Sequence, residues 1–151
     1  MTNFMKIPIL FCALFITIPL LRASTPAQEK AFVDKYKTAF EAKDTATVES
    51  FFYTEGADPA YLQFVKMRLP SVVGEKISKI ALAELTPEDV KKAAAPFDSP
   101  TGGKLCLTLK PTKALVITFE KKDASGSPTK SVSFVTEKDG KIVIIMPGPC
   151  N

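Results

Sequence analysis

The C-terminal third of the sequence contains four segments in succession: KLCLTLK (residues 104–110), KALVITFE (113–120), KSVSFVT (130–136) and KIVIIM (141–146). Apolar and polar residues alternate in each segment, and β-branched residues are frequent, which is typical of strands. The short stretches between them are rich in Pro, Gly, Ser and Asp, as turns are. The sequence therefore predicts a four-stranded antiparallel meander, which the residues upstream are expected to cover.

The alternation assigns the strand residues to two faces of the predicted sheet. The inner face, expected to lie against helices, consists of Leu105, Leu107, Leu109, Leu115, Ile117, Phe119, Val132, Phe134, Ile142, Ile144 and Met146. The outer face also carries apolar residues, namely Val116, Val135, Val143 and Ile145. Either a second subunit covers the outer face, or these residues reflect strand propensity alone.

The first helix of the predicted domain has a clear start signal. The stretch TPAQ (25–28) is a capping box with proline at the first helical position, and it predicts a helix over residues 26–42. Phe32, Tyr36 and Phe40 recur at a spacing of four residues, which places the three aromatic rings on one face of that helix. This face is expected to pack on the sheet.

Further elements are expected between the first helix and the meander. Residues 44–56 predict a second helix, and residues 58–69 predict a third, which Pro70 stops. A strand at 75–85 and a short capped helix at 86–95 complete the pattern. Three N-terminal helices followed by a mostly antiparallel sheet define an α+β domain.

Residues 1–23 differ in composition from the rest of the chain. A basic start ending at Lys6 precedes an apolar run, and small residues follow up to Ala23, which is typical of a secretory signal peptide. The apolar run is shorter than the ~20 residues that span a bilayer. An uncleaved anchor, which Arg22 favours, is the alternative. The sequence thus predicts a signal peptide at 1–23 and a single exported domain at 24–151, without a stable membrane anchor after cleavage.

Charge and cysteine content indicate which classes of partner and which kinds of site this domain is expected to have. The chain has 20 basic and 16 acidic residues, but Arg68 is the single arginine of residues 24–151 and the lysines are dispersed. Nucleic-acid binding relies on clustered Arg and Lys, so this domain is not predicted to bind nucleic acid. Cys106 and Cys150 are expected to form a disulfide in an exported protein, with two free thiols as the alternative. The sequence has no histidine to complete a metal site with the two cysteines, so no metal is predicted, and no cofactor is predicted either.

Two stretches, taken with the order of elements, resemble a known superfamily. FVDKYKTAFEAKDTATVESFF (32–52) joins an aromatic helix to a second helix, and TEKDGKIVII (136–145) places an Asp-Gly-Lys turn before the last strand. Together they resemble the nuclear transport factor 2-like superfamily, which includes the SnoaL-like polyketide cyclases and many small exported bacterial domains. Relatives often have tryptophan after the Gly-Lys, where this chain has Ile142.

The resemblance implies a cone-shaped α+β fold, in which three N-terminal helices pack on a curved antiparallel sheet and leave an apolar pocket beside the first helix. The side chains expected to line that pocket are Phe32, Tyr36, Phe40, Leu115, Ile117 and Phe134. The expected function is that of an exported, periplasmic or secreted, non-catalytic protein that binds a small apolar ligand.

Two other functions stay open at this point. A protein–protein interaction or homodimerisation module would use the outer face, and Val116, Val135, Val143 and Ile145 would then be buried only in the oligomer. An enzyme of the SnoaL-like isomerase, cyclase or hydrolase type would need acid–base residues inside the cone. No pattern in the sequence buries a carboxylate, and there is no phosphate-binding loop or nucleophile elbow, so no catalytic residue is predicted.

Overall fold

A computed structural model of the chain describes residues 24–150, and the predicted signal peptide lies outside them. The described chain is of the α+β class, as predicted. Its helices are α1 (Pro26–Glu41), α2 (Thr45–Glu49), α3 (Pro59–Val72) and α4 (Pro87–Ala94). Its strands are β1 (Phe52–Tyr53), β2 (Ile77–Glu84), β3 (Phe97–Asp98), β4 (Lys104–Leu107), β5 (Lys113–Lys122), β6 (Pro128–Lys138), β7 (Lys141–Ile145) and β8 (Pro147–Pro149).

The main sheet has five strands in the order β1-β7-β6-β5-β2. Strands β5, β6 and β7 form the predicted meander, β2 runs antiparallel beside β5, and β1 pairs parallel with β7. The prediction that residues 104–110 begin the meander is wrong, because β2 occupies the edge of β5 that β4 would have needed. Ile80 lies opposite Ile117 and Leu82 opposite Leu115 in that pairing.

Strand β4 belongs instead to a separate three-stranded sheet, in the order β3-β4-β8. The C-terminal residues fold back as β8 beside β4, so that Gly148 lies opposite Cys106. The structure joins Cys106 to Cys150 by a disulfide, with their Cα atoms 5.0 Å apart. A Cβ atom at Gly148 would overlap the carbonyl oxygen of Gly56, so this close approach requires glycine.

Two predicted helix ends are wrong. The second helix ends at Glu49 rather than at Gly56, because the backbone beyond it pairs with β7: the Ile144 N–H donates to the Phe51 carbonyl at 2.8 Å. The third helix continues past Pro70 to Val72. The N–H of Val73 still donates to the carbonyl of Leu69 at 3.0 Å, and both side chains are buried, so packing outweighs the bond that proline removes.

The core lies between α1 and one face of the main sheet. The predicted capping box is present at the start of α1, where Thr25 and Gln28 exchange two hydrogen bonds. The cluster of buried apolar side chains consists of Phe32, Tyr36, Ala39, Phe40, Val48, Phe51, Leu69, Val73, Ile77, Leu115, Ile117, Phe119, Val135, Ile144 and Met146. The aromatic face of α1 therefore packs on the sheet, as its spacing predicts.

The predicted inner face is wrong for β6. Leu115 lies opposite Ser133 and Ile117 opposite Ser131, so the serines share the inner face with them. Val135, which was assigned to the outer face, is 1% exposed and belongs to the core. Val132 and Phe134 point to the outer face instead, because a shift of one residue in pairing moves every side chain of a strand to the other face.

Candidate functional site

Five of the six side chains predicted to line a ligand pocket lie together in the core. Phe32, Tyr36 and Phe40 come from α1, and Leu115 and Ile117 come from β5. Each of the five is at most 7% exposed. The geometry thus brings these residues into one cluster beneath α1, where the resemblance places a pocket.

The aromatic rings in this cluster pack against one another. The ring centroids of Tyr36 and Phe40 are 5.9 Å apart, and those of Phe40 and Phe119 are 5.7 Å apart. The Phe51 ring meets Phe32 edge-on at 5.1 Å. Such separations are those of rings in contact. The space beneath the middle of α1 is therefore occupied by the side chains themselves.

Tyr36 is the member of this cluster with a polar atom. Burial raises the pKa of its hydroxyl to about 12, because the phenolate would lose its hydration. The hydroxyl therefore stays protonated near neutral pH, and Tyr36 does not supply the base that an enzyme of the SnoaL-like type would use.

Phe134 lies apart from the other five predicted residues, on the outer face of the main sheet. It lines a cavity of about 240 Å³ with Tyr61 of α3 and Phe97 of β3, and the rings of Tyr61 and Phe97 are 6.4 Å apart. Residues of β4 and β8 close the same cavity. The small sheet therefore covers part of the outer face, which explains why Ile145 is only 4% exposed in a single chain.

A larger cleft opens between the N-terminal half of α1 and the β6–β7 hairpin. We call it the α1–β7 cleft, and its volume is about 450 Å³. It is lined by Ser24, Gln28, Ala31, Phe32, Lys35, Ser50, Phe51, Glu137, Gly140, Lys141, Ile142 and Val143. Phe32 connects the cleft to the aromatic cluster, so one predicted ligand-binding residue reaches this opening.

The hairpin that forms one wall of the cleft follows from a two-residue turn. Asp139 and Gly140 both have positive φ, 51° and 74°, and Lys138 pairs with Lys141 across them. Asp-Gly is a preferred sequence for this turn type, because its two central residues must adopt left-handed backbone conformations. The next pair inward is Glu137 with Ile142, which sets both side chains on the wall of the cleft.

Glu137 is the unusual residue of the cleft. Its Oε2 atom is buried and has no hydrogen-bond partner among residues 24–150. A buried polar atom without a partner costs free energy, and such atoms are rare in folded proteins. The sequence pattern predicted no buried carboxylate, and Glu137 is a partial exception to that prediction. Glu137 lies two residues after Val135 on the same strand, so the two side chains share a face of the sheet. The sequence pattern assigned Val135 to the outer face, and the inward position of Glu137 was therefore not predicted.

An ion pair anchors α1 close to the cleft. Lys113 of β5 donates to both carboxylate oxygens of Glu29, at 2.8 and 2.9 Å. This contact, aided by the Ser24 hydroxyl, lowers the pKa of Glu29 against the opposing effect of burial. The same bond raises the pKa of Lys113. The two side chains are 25% and 20% exposed, so the pair is partly shielded from water.

We expect this pair to make stability depend on pH. The folded pKa of Glu29 lies below its ordinary value of 4.5, so its contribution is complete above that pH and is lost as the pH falls through the lowered value. Urea unfolding midpoints of the wild type and Glu29→Gln should therefore differ at neutral pH and converge in acid. Glu88→Gln removes an exposed ion pair with Lys92 and should change the midpoint little at any pH. A constant difference down to the lowest pH would contradict this role.

An apolar groove separates α4 from β4. Its volume is about 410 Å³, and α4 contributes Val90, Ala93 and Ala94 while β4 contributes Leu107. No residue of α4 is buried, and Val90 is 52% exposed. Its capping box, in which Thr86 and Asp89 exchange hydrogen bonds, stabilises the first turn of the helix.

Within residues 24–150, no three side chains of His, Cys, Asp or Glu are grouped so that they could hold a metal ion. Among the helices of that range, none has the length and apolar character needed to cross a membrane. Comparison with known protein families, characterised proteins and solved structures gave no significant match.

Proposed function

We propose that this chain is a non-catalytic binding protein that holds a small, largely apolar ligand in the α1–β7 cleft. The cleft lies beside the first helix and the sheet, where the nuclear transport factor 2-like resemblance expects a pocket. Its volume of about 450 Å³ falls within the range of small-molecule sites, which begins at ~300 Å³. The cone-shaped fold is part of the proposal, and the packing of α1 on the β2-β5-β6-β7 part of the sheet supports it.

The observation that carries the proposal is the carboxylate of Glu137. The cleft has apolar walls formed by Phe32, Phe51 and Ile142, yet a buried oxygen of Glu137 has no hydrogen-bond partner in the described chain. Ligand sites combine apolar walls with a few convergent polar groups that orient the ligand. The carboxylate of Glu137 provides such a polar group at the cleft wall.

Export to the periplasm or the cell exterior is also proposed. The composition of residues 1–23 supports it, and so does the Cys106–Cys150 disulfide, because such bonds persist in oxidising compartments. The ligand would then be one that is present outside the cytoplasm.

Native mass spectrometry of the protein from its exported fraction tests this function. We expect a co-purified small molecule, and we expect Ala31→Trp to reduce its occupancy severalfold, because Ala31 lines the cleft and is exposed. Ala60→Trp is the matched control, since Ala60 is an exposed residue of α3 that does not line the cleft. Equal ligand occupancy in the two variants would count against the cleft as the binding site.

Homodimerisation through the outer face is a second candidate function, and the exposure of Val132 favours it. Val132 is 55% exposed on β6, the middle strand of the main sheet, opposite Val116 of β5. Val135 and Ile145, which this hypothesis expected to be buried only in an oligomer, are already buried in one chain. The surface of such a dimer would therefore centre on Val132 and Val116.

Light scattering after size-exclusion chromatography tests the dimer. We expect Val132→Lys to convert a dimer to a monomer, because a lysine at the centre of an apolar interface would lose its hydration. Val90→Lys is the control, since Val90 is 52% exposed on α4. A monomeric wild type, or a Val132→Lys variant with an unchanged mass, would refute this second function.

A further inference from the structure

A separate cavity lies on the outer face of the main sheet, and we call it the outer-face cavity. Its volume is about 240 Å³, and residues of α3, β3, β4 and β6 line it, including Tyr61, Phe97, Leu107 and Phe134. We propose that this cavity is a binding site for an uncharged aromatic molecule of one ring or two small fused rings. The inference goes beyond the function proposed above, because the outer-face cavity and the α1–β7 cleft share no lining residue.

The volume of the outer-face cavity limits the size of its ligand. Sites for drug-sized molecules begin at about 300 Å³, and this cavity, at about 240 Å³, is smaller. Apolar cavities of about 150 Å³ already accommodate benzene. The space therefore suits a molecule with one ring or two small fused rings.

Aromatic side chains from three separate elements meet at the outer-face cavity. The ring centroids of Tyr61 and Phe97 are 6.4 Å apart, and the ring planes are inclined at 72°, which is an edge-to-face arrangement. The Tyr61 ring also lies 6.4 Å from that of Phe64, so two neighbouring rings hold it in place. Phe134 adds a third ring from the sheet. Contacts between aromatic rings are favourable beyond the area that they bury, so these walls favour an aromatic ligand over a saturated one of the same size.

The polar groups of the outer-face cavity favour an uncharged ligand. Among the described residues, no carboxylate lines the cavity, and Lys92 is its one charged side chain. The Lys92 ammonium already donates to the Glu88 carboxylate at 2.8 Å. Burial raises the pKa of the Tyr61 hydroxyl, which therefore stays neutral near neutral pH. A charged ligand would lose hydration here without gaining a free partner of opposite charge.

The outer-face cavity is accessible from solvent on one side. Ile145 and Met146 on its floor are 4% and 7% exposed. Val132 of β6 is 55% exposed, and the side chain of Lys92 on α4 is 65% exposed. Both residues line the cavity, so its opening lies between β6 and α4. A small molecule can therefore enter without unfolding of the surrounding strands.

Four probes with a six-membered ring test this inference: phenol, cyclohexanol, benzoate and benzylamine. Amide chemical shifts of ¹⁵N-labelled protein locate the site and give the dissociation constants. We expect phenol to shift the amides of the outer-face cavity and to bind about threefold to tenfold tighter than cyclohexanol, which has the same size but no aromatic ring. Benzoate and benzylamine should bind about tenfold more weakly than phenol, because each must desolvate a charge.

Two variants with matched controls assign the site. Val132→Trp should block the opening and weaken phenol about tenfold or more, whereas Lys130→Trp, an exposed position of β6 outside the cavity, should bind like the wild type. Tyr61→Leu removes an aromatic wall and should weaken phenol severalfold while leaving cyclohexanol unchanged. Tyr53→Leu is its control, because Tyr53 does not line the cavity.

The remaining outcomes would overturn the inference. Equal binding of phenol and cyclohexanol would mean that the cavity does not select an aromatic ring. Tighter binding of benzoate or benzylamine than of phenol would mean that the site selects a charge. If no probe shifts the amides of the outer-face cavity at millimolar concentration, the cavity is not a ligand site. Shifts confined to the α1–β7 cleft would overturn this second site and leave the function proposed above intact.

Discussion

Reduction of the Cys106–Cys150 disulfide should lower the free energy of unfolding by about 4 kcal/mol, on the chain-entropy model for cysteines separated by 44 residues. The effect arises in the unfolded chain, which gains conformations when the loop opens. In the folded chain, other contacts still hold β8 in place. The N–H of Asp58 donates to the Pro147 carbonyl at 2.9 Å, and the Thr108 hydroxyl donates to the Met146 carbonyl at 2.9 Å.

Urea unfolding with and without reductant measures this effect. Far-UV circular dichroism is the suitable signal, because the sequence has no tryptophan. The double variant Cys106→Ser/Cys150→Ser should unfold at the midpoint of the reduced wild type and should not respond to reductant. Identical midpoints for the oxidised and reduced wild type would show that the bond adds no stability.

Phe40→Ala should destabilise the protein by about 3–5 kcal/mol, the range for large aromatic side chains removed from a core. Phe40 is 4% exposed, and its ring lies between those of Tyr36 and Phe119, at 5.9 and 5.7 Å. Truncation loses the transfer free energy of the ring and leaves a cavity that its two neighbours cannot close without moving from the helix or the strand that holds them.

Met67→Ala is the control for this prediction. Met67 is 71% exposed on α3, so its truncation should change stability by less than about 0.5 kcal/mol. Phe40→Leu should fall between the two, because it retains part of the buried volume. The same unfolding experiment also tests whether the space beneath the middle of α1 is filled by side chains. A Phe40→Ala variant as stable as the wild type would mean that the aromatic cluster surrounds open space rather than filling it.

The sequence alone predicted the α+β class, the start of α1, the strand β2 and the last three strands of the meander. These features are local. The capping box of Thr25 and Gln28 fixes the first turn of α1, and the spacing of Phe32, Tyr36 and Phe40 selects its buried face. The Asp139-Gly140 turn fixes the β6–β7 hairpin in the same way, because few other residue pairs adopt its backbone conformation.

The lining of the α1–β7 cleft was predicted only in part. Phe32 was identified because it belongs to the periodic aromatic face of α1. Glu137 was not identified, because its position depends on which alternate side chains of β6 face inward. Both Val135 and the pair Val132 and Phe134 are apolar, so either set could form the inner face. Alternation cannot choose between two apolar sets on adjacent residues. The pairing of β6 with β5 decides which set faces inward, because it sets Ser133 opposite Leu115.

Local signals in the sequence thus determined which segments become helices and strands and which face of α1 is buried, because caps, turns and periodicity act between residues that are close along the chain. Tertiary structure alone decided that β2 rather than β4 pairs with β5, that the C-terminal residues return as β8 beside Cys106, and that Glu137 faces the α1–β7 cleft. Each of these features depends on which strands, distant along the chain, pair through their backbone hydrogen bonds. The residue pattern of a single segment does not specify its pairing partner, so these features could not be predicted locally.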